Sequence, residues 1–110
     1  MIRQALRLNP FFPQLYHLLS IAYRETGRYE EGIAAEKKAL QLAPNYWLAN
    51  LMLAALYSYA GREAEARAAA AEVRRIDPNF SLIRYAKDTP WKEGPKKDRI
   101  IDALRQAGLK

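Results

Sequence analysis

The sequence predicts an all-α solenoid, in which helix-turn-helix repeats stack side by side and a C-terminal helix caps the last of them. Pro10, Pro44 and Pro78 stand 34 residues apart, and ALRLNP at 5–10 returns as ALQLAP at 39–44 and more loosely as VRRIDP at 73–78. The same interval separates Leu19 from Leu53, Tyr23 from Tyr57, Gly27 from Gly61, Arg28 from Arg62 and Asn45 from Asn79. Between these markers apolar residues recur at helical spacing, and Gly or Pro stands where each helix must end.

The first full unit spans 13–46. Tyr16, Leu19, Ser20 and Tyr23 fall at i, i+3, i+4 and i+7, one stripe of a helix that Pro13 opens and Gly27 ends. A second helix is expected from about Glu30 to Leu42, with a stripe of Ile33, Lys37 and Leu40 flanked by alanines and stopped by Pro44. The unit 47–80 repeats the plan: a helix from Trp47 to Ala60, Gly61, an alanine-rich helix from about Glu63 to Arg75, then Asp77-Pro78. After Phe80 the period fails. In the segment 81–110, Ser81 can cap a short helix, Leu82–Lys87, and a Pro/Gly loop includes Trp91. A final helix, Lys96–Ala107, follows, with Ile100, Ile101, Leu104 and Ala107 on one side and Gly108 at its stop.

This pattern resembles the tetratricopeptide repeat. The residues that carry the resemblance are Tyr16, Leu19, Tyr23, Gly27, Tyr29, Ile33, Ala39 and Pro44 in one unit and Leu53, Ala54, Tyr57, Gly61, Ala66 and Pro78 in the next. It covers about residues 1–80, implies a right-handed solenoid, and makes 1–12 the second helix of a partial unit. Three departures stand out: Asn50 where the first helix usually has an aromatic, Gly32 at the small residue opening the second helix, and Glu36 or Ala70 where a bulky residue is usual. The tail, through Thr89-Pro-Trp91-Lys to Leu104-Arg-Gln-Ala-Gly-Leu109, is similar to the C-terminus of bacterial proteins that join class III adenylate/guanylate cyclase or winged-helix domains to such repeats. That second resemblance implies an effector domain N-terminal to Met1 and, as the alternative to a scaffold, a C-terminal regulatory or oligomerising region of a bacterial signalling protein such as a nucleotidyl cyclase; the sequence, starting in mid-repeat, is expected to be a piece of something longer.

The composition restricts the chemistry. A chain of 110 residues, 50% apolar and 27% charged, fits one small folded domain. No apolar run approaches the roughly 20 residues of a membrane helix and Met1–Leu8 has no signal-peptide core, so a soluble, cytoplasmic protein with no membrane partner is expected. The absence of cysteine excludes disulfides and thiolate sites, and the single histidine, His17, excludes multi-histidine metal centres. The five glycines are too dispersed for a phosphate-binding loop, and Ser20, Ser58 and Ser81 lie in no nucleophile motif. Glu30-Glu31 and Glu63-x-Glu65 open second helices, where negative charge suits the helix dipole. The expectation is no enzyme, no catalytic residue, no cofactor and no metal.

The net charge of +6 belongs to the ends: 13–80 carries eight basic and eight acidic side chains, while 81–110 carries eight basic and four acidic. The loose cluster Lys92, Lys96, Lys97 and Arg99 is interleaved with acids and has only Trp91 for stacking, so it reads as a soluble cap rather than a nucleic-acid site.

What remains is a surface. The resemblance implies that first helices line a concave groove and second helices form the outer wall. The face of the first helix opposite its packing stripe presents Gln14, His17, Ile21, Arg24 and Glu25; the second unit places Leu48, Leu51, Ala55, Ser58 and Tyr59 there. These are the candidate residues for holding a peptide or helix of a protein partner, with Leu51 and Ala55 fitting equally a groove wall and a buried helix contact. His17 and Ile21 occupy the positions where chaperone-binding members carry Lys and Asn, which disfavours that carboxylate clamp. Ile2, Ala5, Leu6 and Leu8 have no helix before them, so this N-terminal edge is expected to self-associate.

Overall fold

The computed structural model describes residues 13–88 and 95–110, and every regular element within them is helical. In chain order these are α1 (Pro13–Glu25), α2 (Tyr29–Leu42), α3 (Trp47–Tyr59), α4 (Glu63–Ile76), α5 (Leu82–Asp88) and α6 (Pro95–Gln106). The partial unit at 1–12, its self-association edge and the loop that holds Trp91 and Lys92 lie outside the described residues. Packing follows sequence order, α1 on α2, α2 on α3 and α3 on α4. That is the nearest-neighbour plan of an α-solenoid of helix-turn-helix repeats.

The turns explain why the two units match. Gly27 and Gly61 have φ of 76° and 75°, a conformation that costs a side-chain-bearing residue energy through its Cβ. Each stands just past a first helix. The Arg28 N–H donates to the Tyr23 carbonyl and Gly27 N–H to that of Arg24; Arg62 N–H donates to Tyr57 and Gly61 N–H to Ser58. These paired bonds satisfy the last carbonyls of α1 and α3. The second helices begin without side-chain caps, but Glu30, Glu31, Glu63 and Glu65 lie in their first turns, where charge complements the dipole. Arg62 links them from outside, 2.6 Å from Glu30 and 2.7 Å from Glu65.

The core is built on α3. Its sequence WLANLMLAALYSY carries no charge, and Ala49 through Tyr57 are all buried, as suits a helix packed against α1, α2, α4 and α6. α2 departs from its expected stripe. The buried residues are Gly32, Ile33, Ala35, Glu36 and Ala39, while Lys37 is exposed and Leu40 half-buried. Gly32 accounts for the rotation. A Cβ there would stand 3.3 Å from both Leu56 methyl groups and 3.4 Å from the Ser20 carbonyl oxygen, so its absence lets α2 approach α1 and α3 along the 32–36–39 line, and the Lys37 ammonium stays in water. On α1, Ser20 is fully buried while Tyr16, Leu19 and Tyr23 are half-buried.

Beyond the repeats the chain doubles back. Ser81 Oγ accepts the Arg84 N–H at 3.2 Å and opens α5, which lasts only seven residues. α6 then runs back along α3: Arg99 lies over the Tyr59 ring at one end, the Ala103 carbonyl accepts from Ser58 Oγ at 3.0 Å, and the Lys110 carbonyl accepts from the Leu82 N–H at the other. Ile100, Ala103, Leu104, Ala107 and Leu109 are buried by this docking, and Arg74 adds a 2.8 Å bond to the Gly108 carbonyl. The apolar flank of α3 is thereby capped.

Candidate functional site

α1, α3, the turn between α4 and α5, α5 and α6 line a half-open cavity of about 620 Å3. Volumes of this order are typical of ligand clefts. α1 contributes His17, Ile21, Arg24 and Glu25, which share one helical face. α3 contributes Trp47, Leu48, Leu51, Met52 and Ala55, again one face. Among the described residues, none from α2 or α4 reaches the lining.

Seven of the ten residues singled out from the sequence therefore meet around one space: His17, Ile21, Arg24, Glu25, Leu48, Leu51 and Ala55. Leu51 and Ala55 do so while 3% and 1% exposed, so they are both wall and core. Gln14 is exposed outside the cavity. Ser58 and Tyr59 lie against α6: the hydroxyl of one is bonded to Ala103, and the ring of the other is 5.3 Å from Tyr29 and 4.5 Å beneath the Arg99 guanidinium. Burial pushes the Tyr59 phenol above its ordinary range.

The remaining wall comes from positions that the repeat pattern did not mark. Phe80 and Tyr85 stand with ring centroids 6.2 Å apart, Phe80 lies 6.5 Å from Trp47, and Arg84, Ile100 and Leu104 complete the side formed by the doubled-back chain. The signal for the aromatic group was present in Trp47 and Phe80. Their juxtaposition depends on how the chain leaves α4, which no periodicity encodes.

Two polar features give the cavity its character. Arg24 is only 8% exposed, with Nη1 donating to the Met52 thioether at 3.4 Å and Nη2 to Glu25 Oε1 at 3.1 Å. A thioether is a weak acceptor, so this nearly buried cation is modestly served on the Met52 side. Behind His17 lies the second feature. His17 Nδ1 is 2.7 Å from Glu36 Oε2, and the His17 ring meets Tyr46 edge-on at 5.6 Å.

Glu36 is fully buried, and its Oε1 has no hydrogen-bond partner among the described residues. Burial raises its carboxyl above the ordinary value of 4.5, against the opposing pull of His17, Ser20 and Arg24. The contacts of Ser20 agree with that direction. Its Oγ is 2.8 Å from the His17 carbonyl and 2.5 Å from Glu36 Oε2, and one hydroxyl proton cannot serve both oxygens. With a proton on Glu36, the carboxyl donates to Oγ and Oγ donates to the carbonyl. In the sequence Glu36 stands out only as a departure from a bulky position; its pairing with His17 and Ser20 arises from the packing of α1 on α2, which the repeat pattern does not encode.

Among the described residues no helix is long and apolar enough to cross a membrane. Comparison with curated proteins finds no match. Two family models, each described as tetratricopeptide repeat, do match, one over residues 25–87 and one over residues 1–34. Repeats of this family generally mediate protein–protein interactions and are generally non-catalytic. With one model spanning more than half of the sequence and the helix-turn-helix packing in place, the chain belongs to the tetratricopeptide repeat family.

Proposed function

We propose that the protein is a non-catalytic interaction scaffold that holds a peptide or helix of a protein partner in the groove between α1 and α3. The observation that carries this reading is the convergence on one cavity of seven first-helix residues that the repeat register and the family resemblance together single out. Its wall is mainly aliphatic and aromatic with a few placed polar groups, the composition that gives a recognition cleft both affinity and orientation.

Substituting Arg24 by Glu together with Leu48 by Asp tests the reading. Leu48 is half-buried at the cavity wall and Arg24 lines it, so the pair alters the groove; because Leu48 packs on the core and Arg24 on Met52, the fold of the variant is checked in parallel. Affinity capture should lose the partner while circular dichroism reports unchanged helicity. Undiminished capture by the folded variant would contradict the groove assignment.

A further inference from the structure

We infer that the groove recognises a partner segment in which an internal Asp or Glu side chain sits beside bulky apolar residues, with Arg24 as the carboxylate receptor. This rests on the scaffold reading above and names the chemistry of the partner. Arg24 is 8% exposed, lines the cavity, is paired through Nη2 with Glu25 and directs Nη1 at a thioether. A guanidinium held in place but poorly served on one side gains a charge-assisted bond when a carboxylate arrives there, with little side-chain entropy left to lose.

Around it, Ile21, Leu48, Leu51, Trp47 and Phe80 supply apolar wall for the neighbouring side chains. The charged lining is balanced, Arg24 and Arg84 against Glu25 and Asp77, so the wall exerts no net pull on a polyanion such as a nucleic-acid backbone, and recognition of a carboxylate rests on the local bond to the guanidinium.

The test uses the full 110-residue chain and two sets of ten-residue peptides, acetylated and amidated so that no terminal carboxylate remains. Both sets vary Leu, Phe, Trp and Ala around one central position, which is Glu in the first set and Gln in the second. Binding is followed by fluorescence polarisation at low and moderate salt. Glu peptides should bind about tenfold or more tightly than their Gln counterparts, as expected for a hydrogen bond to a charged group. Arg24→Gln should abolish the difference while leaving weak apolar binding.

The Glu-to-Gln ratio on the unaltered protein stands even if that variant fails to fold. Equal binding of Glu and Gln peptides, lost in Leu48→Asp, would overturn the carboxylate inference and leave the groove reading intact. Binding that survives Leu48→Asp would overturn both. Binding by neither set, or tighter binding when phosphoserine replaces Glu, would overturn the inference.

Discussion

Replacing Glu36 with Gln is expected to remove a fall in stability that the unaltered protein shows as pH rises above about 4.5. Burial raises the folded-state carboxyl above its ordinary value, so the folded protein binds a proton that the unfolded chain has already released. A raised folded value means that the contribution is fully present below the unfolded value and is lost as pH climbs through the folded one. Gln keeps the shape and can still meet His17 and Ser20, but it has nothing to titrate.

Urea denaturation from pH 4 to 8 on both proteins checks this. The difference between the two curves isolates Glu36 from exposed groups such as Glu65, whose carboxyl Arg62 holds low. A constant difference across the range would contradict the assignment.

Leu56→Ala is expected to be the most damaging single change in the core, costing about 2–5 kcal/mol. Leu56 is fully buried, and both of its methyl groups lie against the bare backbone of Gly32. Truncation opens a void where α2 crosses α3, the contact that joins one unit to the next. A domain of this size has only about 5–15 kcal/mol in total. Urea unfolding followed by circular dichroism should show a midpoint shifted well below that of the unaltered protein, and a shift equivalent to less than about 1 kcal/mol would mean that the interface between units is not organised around this residue.

The backbone plan was legible in the sequence because local constraints write it. Gly27 and Gly61 need a left-handed conformation, Pro44 and Pro78 stop helices, and a 34-residue interval repeats both. The cavity-lining face of α1 and α3 was legible for a related reason, since one helical register places His17, Ile21 and Arg24 together and a second places Leu48, Leu51 and Ala55. The far wall was not. Phe80, Arg84, Tyr85, Ile100 and Leu104 reach the cavity because the chain reverses after α4 and α6 lies back along α3, a tertiary event with no period.

That reversal also places Ser58 and Tyr59 under α6, although their register matches the groove. On α2 the rotation of the buried face follows from Gly32, whose missing side chain matters only once Leu56 and Ser20 are brought against it. A periodic pattern cannot anticipate a close approach made by residues from other helices.

The groove assignment is tested most directly by amide chemical shifts of isotope-labelled protein titrated with a captured partner segment. The largest changes are predicted at Ile21, Arg24, Leu48 and Leu51 and along the Phe80–Tyr85 wall, with α2 and α4 little affected. Shifts concentrated on the outer helices, around Lys37, Lys38 and Arg67, with the cavity residues unmoved, would contradict it.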